Sequence, residues 1–284
     1  NAAMTHARPT DTRPPAARRP AGHRVFFPLA LIHGALAVPW WVAGYLGWLG
    51  TPWTPAAHAH EMLFGFALAV VGGFLLTRPR PAVLALATGA WVLGRVAVAG
   101  GLPPGLAAAF GLAYPVVLFV FAGLPFLRAA KSAHNAVFGP LIGAFALAEA
   151  VYWLGGDGGR TGVLLALHLV GLLLFTMGGR IIPAATAGEL RRQGGLLVER
   201  VQPWLERIGL AGGLVALATL AADSAAPVGA AGAAVIGAAG AAVTGLCALA
   251  RLARWRTAAV LGRPDLWSLH LGYAWLGLGW LAAG

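Results

Sequence analysis

Apolar stretches of about twenty residues follow one another along this chain with only short polar breaks, and that recurrence leaves few folds open. At 1.5 Å of helical rise per residue, such a stretch covers the roughly 30 Å hydrocarbon core of a bilayer. Inside hydrocarbon every backbone polar group must be satisfied internally, which restricts spanning segments to helices and closed barrels. The runs fall at 25–49, 55–77, 81–100, 106–127, 134–154, 161–183, 208–222, 227–250 and 266–283. The expected fold is therefore an all-α, polytopic transmembrane helix bundle with about nine spans. Composition agrees: 59% of the 284 residues are hydrophobic and 10% charged, against about 25% charged in a soluble domain.

The net charge of +11 would suggest a nucleic-acid partner in a soluble chain, but no aromatic-basic platform accompanies it. The arginines lie between the apolar runs instead. Arg8, Arg13, Arg18, Arg19 and Arg24, the Arg78/Arg80 turn, Arg128/Lys131, the Arg191/Arg192/Arg200/Arg207 loop and the Arg251/Arg254/Arg256/Arg263 loop all fall on one side of such a bundle. The alternate loops hold a single Arg160. By the positive-inside rule the N-terminus is cytoplasmic. Residues 1–24, basic and proline-rich, are expected to be a disordered cytoplasmic tail, and 25–284 one transmembrane helical domain. The first run is too long for a signal-peptide core and reads as a retained anchor. Cys247, the one cysteine, excludes an intrachain disulfide and reads as a small buried hydrophobe. Gly229, Ala233, Gly237, Ala241 and Gly245 recur every four residues, a small face for close helix packing.

Ionisable side chains are expensive in hydrocarbon, and their positions are the functional signal. Counting depth along each run places His58, His60 and Glu61 at the outer start of the second span, with Arg95, Glu149 and His168 at comparable depth on three other helices. A second, inward layer holds His33 and His270, with His134-Asn135 and Arg180 near the edge. Neutral imidazole is a common ligand of haem iron and copper. Each histidine also has a plainer reading, a hydrogen bond to a neighbouring helix. Arg95 with Glu149 is either a structural intramembrane pair or a polar contact for a cofactor. Thr54-Pro55 reads as an N-cap and first-turn proline, so His58 and His60 sit about 200° apart on a regular helix. They cannot then chelate one ion. His58 shares a face with Glu61 and Met62, and His60 with Phe64.

Three segments carry a family resemblance: 58–77 (HAHEMLFGFALAVVGGFLLT), 177–190 (MGGRIIPAATAGEL) and 263–279 (RPDLWSLHLGYAWLGLG). With the basic loops, they resemble the NnrS family, bacterial inner-membrane proteins associated with the response to nitric oxide and described as containing haem and copper. The resemblance covers nearly all of 25–284, and its members usually continue with a further histidine-containing apolar region. Carried over by position, it points to His58, His60, Glu61, Arg180 and His270. It implies a haem b protein, with copper as a second metal, in the bacterial inner membrane, that binds nitric oxide and reduces or detoxifies it as an oxidoreductase. Reduction would call for an electron donor. The candidate metal ligands are then His58, His60, His168, His270 and His33. Arg95 and Arg180 are further cofactor contacts, and Glu61 and Glu149 the candidate catalytic carboxylates that supply protons. Two other classes remain open: a transporter or metal-ion conduit with a His/Glu-lined outer vestibule, and a non-catalytic membrane scaffold whose polar residues are interhelical contacts.

Overall fold

The computed structural model describes residues 20–50, 54–100, 102–129, 137–198, 201–225 and 230–284. Among them the chain is all-α, with no strand. The tail up to residue 19, together with His134 and Asn135, lies outside the described residues. The helices are α1 (His23–Tyr45), α2 (Pro55–Leu75), α3 (Pro81–Ala99), α4 (Pro104–Arg128), α5 (Phe138–Leu154), α6 (Arg160–Arg192), α7 (Pro203–Ala225), α8 (Ala230–Leu252) and α9 (Pro264–Ala283). Seven of the described helices, α1 to α4 and α6 to α8, are long and apolar enough to cross a membrane. Against the nine runs expected, α5 has 17 residues, and α9 mixes Asp265, Ser268, His270 and Tyr273 into its apolar sequence.

Local chemistry fixes the helix starts. Pro55, Pro81, Pro104, Pro203 and Pro264 each open a helix, where a missing N–H costs nothing and the fixed φ suits the first turn. Thr54 caps α2 as expected, its Oγ1 accepting from the Ala57 N–H at 3.1 Å. At 33 residues α6 is about 50 Å long, well beyond the expected 161–183 run. It is the element on which the others converge, packing against α2, α5, α7, α8 and α9. One core is built mainly from α1 to α6, around Phe26, Phe64, Leu68, Phe145 and Leu169. A second joins α6 to α7, α8 and α9 around Phe175, Trp255 and Tyr273. Outside these cores the bundle exposes Leu31 (67%), Leu36 (66%), Leu147 (69%) and Leu154 (72%), the inverse of a soluble surface and the outward face that lipid tails would cover.

Two helices are irregular at mid-length. Residues Glu61–Ala67 of α2 and Phe119–Gly123 of α4 form π-helical turns, which occur disproportionately at functional sites. Widening the ladder in α2 leaves carbonyls in want of donors, and neighbouring helices supply them: Trp91 Nε1 donates to Gly65 O at 2.9 Å and the Tyr114 hydroxyl reaches Leu68 O at 3.4 Å. The small-residue packing of α8 is present but shifted. Gly237 and Gly245 do sit against neighbours, on Thr219 and Gly277, while the tightest backbone approach to α7 pairs Gly240 with Gly212, off the four-residue row.

The start of α6 lies in the α5–α6 loop. Asp157 Oδ1 accepts from the Gly159 N–H at 3.1 Å and Oδ2 from the Thr161 N–H at 2.7 Å, covering donors that the first turn leaves free. Gly159 has φ of 84°, and a side chain there would strike Tyr152. Hydrogen bonds from Thr161 first, and also from Gly159, hold the Asp157 carboxyl below its ordinary range. A depressed folded-state pKa contributes stability above the unfolded value, and this is lost as pH falls through the folded one. Asp157→Ala is expected to cost about 1 kcal/mol at neutral pH, read as a lower melting temperature in detergent. The gap from the unsubstituted protein should close on acidification.

Candidate functional site

The π-helical turn of α2 opens onto a buried polar cluster assembled from four helices. Glu61 is its first residue, and Oε1 accepts from Arg95 Nη1 of α3 at 2.6 Å, while Oε2 lies 3.2 Å from His33 Nε2 of α1. The neighbouring His60 bridges to α5. Its Nδ1 is 3.1 Å from Glu61 Oε1, and its Nε2 is 2.9 and 3.0 Å from the two oxygens of Glu149. Trp153 Nε1 also donates to Glu149 Oε1, at 2.8 Å. Aromatic rings enclose the imidazole: Phe64 at 4.8 Å, Tyr152 at 4.2 Å and Trp153 at 5.9 Å between centroids. Two glycines make the space, since a side chain at Gly65 would run into Arg95 and His33, and one at Gly111 into Glu149 and Trp153.

Hydrogen-bond arithmetic limits the charge state. A carboxylate only accepts, and a neutral imidazole donates through one nitrogen. For both His60 contacts to be hydrogen bonds, the ring must carry two protons or one of the carboxyls must carry one. Either way the group holds one proton beyond two carboxylates and a neutral ring, and with Arg95 its charges sum to zero. That balance is what makes full burial tolerable. His60 and Glu149 are 0% exposed and Glu61 2%, so these groups form a closed network and do not line an open vestibule.

Several expectations from depth counting are revised by these contacts. Arg95 pairs with Glu61, not with Glu149, because the carboxylate at the head of the π turn reaches it first. His33, assigned by depth to the inward layer, meets Glu61 because α1 and α2 run past each other and the eleventh residue of α1 falls opposite the first residue of the π turn. Consecutive faces of α2 separate His58 from His60 as expected: His58 stacks on Trp41 of α1 at 4.2 Å, with His58 Nδ1 and Trp41 Nε1 both buried without a hydrogen-bond partner. His168 stands apart from the cluster. Its Nδ1 donates to Leu164 O at 2.8 Å, and its ring meets the edge of Trp280 at 5.2 Å.

A second polar cluster lies among α6, α7, α8 and α9. Arg251, 0% exposed, donates to Glu206 Oε2 and Gly179 O at 3.1 Å, to Phe175 O at 3.1 Å and to Tyr273 Oη at 3.2 Å. Gly179 leaves the room that the guanidinium occupies. Arg180 reaches Glu206 Oε1 at 3.3 Å and covers the Phe138 ring at 4.9 Å. Nearby, His270 is held between two hydroxyls, Thr186 Oγ1 at 2.8 Å from Nε2 and Thr257 Oγ1 at 2.9 Å from Nδ1. With the Thr186 proton donated to Ile182 O, Nε2–H donates to Thr186 and Nδ1 accepts from Thr257. Sequence reasoning places Arg251 in a basic loop and passes over Glu206. The available signal is that Glu206 is one of few acids in a strongly basic region, the partner that a buried arginine requires.

As ligands, then, His60 and His270 have both ring nitrogens engaged. His58, His168 and His33 each keep a nitrogen without a hydrogen bond, that of His33 lying 3.2 Å from the Glu61 carboxylate. Among the described residues no three His, Cys, Asp or Glu side chains are placed to hold a metal ion together.

The model of one protein family, described as NnrS protein, matches residues 19–284. No curated protein and no solved structure matches the chain.

Removing one partner of the closed network should leave an uncompensated buried charge. Glu149→Ala is expected to destabilise the protein by about 3–5 kcal/mol, and Glu149→Gln by less, because the amide oxygen still accepts from His60. Thermal unfolding of the two variants in detergent checks the order.

Proposed function

The chain belongs to the NnrS family, and from that membership and the chemistry of its buried histidines we propose that it is a haem-containing integral membrane protein that binds nitric oxide and reduces it under nitrosative stress. The distribution of arginines between the helices supports placement in the bacterial inner membrane with the N-terminus cytoplasmic.

The observation that carries this reading is the position of His58. It offers a ring nitrogen with no partner, against an indole N–H in the same condition, two residues before the imidazole of the proton-holding network. Among the candidate histidines His58, a half-buried ring whose Nδ1 has no partner, would hold haem, since an unoccupied imidazole nitrogen is what the iron requires. When bound, haem supplies an open iron position for nitric oxide. The described residues do not supply a three-donor set for copper, and copper has no step in this reading.

The chain's own residues would handle protons. Reduction of two nitric oxide molecules takes two electrons and two protons and yields nitrous oxide and water. His60, Glu61 and Glu149 together hold a proton that can pass along the line from Glu149 through the ring to Glu61, each transfer lying along a hydrogen bond of 2.9–3.1 Å. Arg95 stays fixed on Glu61 and offsets its negative charge when the proton leaves. Trp153 orients Glu149 through its indole N–H. Tyr152 and Phe64 keep water from the ring on either face, so the proton moves along the network and not into solvent.

Protein purified after expression with haem supplied is expected to show a Soret band that shifts when nitric oxide is added. His58→Ala should lower bound haem at least about tenfold, as loss of a ligand costs no less than loss of its supporting contacts. A colourless wild-type protein without metal would remove haem from the account, and unchanged haem in His58→Ala would reassign that residue to packing.

A further inference from the structure

The free nitrogen of His168 opens into a groove of about 270 Å³ between α6 and α9, bounded by Gly171, Trp275, Leu276, Gly279 and Trp280. Apart from the imidazole its lining is apolar or aromatic. Trp275 is 64% exposed, so the groove is continuous with the outer, lipid-facing surface of the bundle. It lies at the end where α6 begins and α9 finishes, with His168 eight residues, about 12 Å, along α6.

The backbone fixes the tautomer of this histidine. Leu164 O can only accept, so the Nδ1 that lies 2.8 Å from it carries the proton. In the neutral ring Nε2 then bears a lone pair, and none of the described residues donates to it. A group satisfying it must bring a hydroxyl or N–H, and must reach it through an apolar groove from the membrane. Gly171 lets the Trp280 indole lie against α6 and form one wall, since a side chain at Gly171 would meet that ring. At Gly279 a side chain would meet nothing within 4 Å, so α9 leaves space on the opposite side. An apolar cavity of roughly 150 Å³ takes up benzene, and 270 Å³ accommodates a substituted six-membered ring. Trp280 stands edge-on to the imidazole at 81° and is itself buried, so the aromatic surface left to such a ring is that of the exposed Trp275.

We propose that the His168–Trp280 groove binds a membrane quinol, with a ring hydroxyl donating to His168 Nε2, the ring seated in the groove beside Trp275, and the apolar tail following the exposed side of α9 into lipid. The site goes beyond the haem reading and does not depend on it. The ligand enters sideways from the bilayer, and recognition favours the reduced ring over the oxidised one. A quinone carbonyl offers Nε2 only a second acceptor, whereas a quinol hydroxyl offers a donor.

The test uses the full chain in nanodiscs with radiolabelled decyl-benzoquinol and the corresponding quinone, each measured at equilibrium. The wild type is expected to bind the quinol saturably and to prefer it over the quinone by about three- to tenfold, the equivalent of one hydrogen bond. His168→Ala should abolish that preference. Gly279→Leu, which fills the groove from its empty side and leaves His168 and the buried networks untouched, should abolish saturable binding of both forms while retaining the wild-type melting temperature. Equal binding of quinol and quinone to the wild type would overturn the proposal, as would unchanged binding in Gly279→Leu. Loss of the Soret band in His168→Ala would also overturn it, by showing that Nε2 is given to haem iron. A wild type that lacks haem yet binds quinol with these properties sinks the haem reading alone.

Discussion

One imidazole held between two carboxylates, with a guanidinium closing the circuit, is the constraint around which the first five helices are arranged. Charges of this kind are tolerated inside a bilayer only when each finds an opposite charge or a hydrogen bond. His60, Glu61, Arg95 and Glu149 come from three helices, and His33 from a fourth, so satisfying any one of them fixes the depth of another. Gly65 and Gly111 are small where the network needs room, and the π-helical turn begins at the residue whose carboxylate must turn toward both α1 and α3. The irregularity in α2 is in turn repaired by donors on α3 and α4, so the polar network and the packing of its neighbours are one problem with one solution.

The other half of the bundle solves a similar problem with different chemistry. The two terminal nitrogens of Arg251 donate to a carboxylate, two backbone carbonyls and a phenol, which ties α8 to α6, α7 and α9. Both clusters meet α6, whose residues Phe175 and Gly179 serve the second and whose packing against α2 and α5 supports the first. Outside them, two of the candidate histidines keep a free nitrogen: His58 beside the first network and His168 at the groove beside α9.

Much of this was legible in the sequence because bilayer physics writes itself in runs. Helix positions followed from apolar length, and the runs at 55 and 81 begin at the prolines that open α2 and α3, whereas α4, α7 and α9 start at Pro104, Pro203 and Pro264, ahead of the runs read at 106, 208 and 266. The ionisable residues of the first cluster stood out because hydrocarbon makes them costly, and the separation of His58 from His60 followed from helical geometry alone. Pairing was less legible. Depth counted from a run's edge places a residue along one axis only, so it put Arg95 level with Glu149 but could not say that Glu61 intervenes, nor that α1 passes close enough to bring His33 to the same carboxylate. The π turn has no composition signal, and the alanine- and glycine-rich α8 concealed which glycine would touch α7. Arg251 was hidden by its neighbours, because a buried arginine at the end of a helix reads like the loop charges beside it until its acceptors are known.

His60 and Glu149 act as one energetic unit across 89 residues of sequence. A double-mutant cycle of His60→Ala, Glu149→Ala and the pair, followed by thermal or chemical unfolding in detergent, measures that unit directly. The coupling energy is expected to be about 2–3 kcal/mol, because once either partner is gone removal of the other costs little more. Additivity within roughly 0.5 kcal/mol, the behaviour of independent sites, would contradict it.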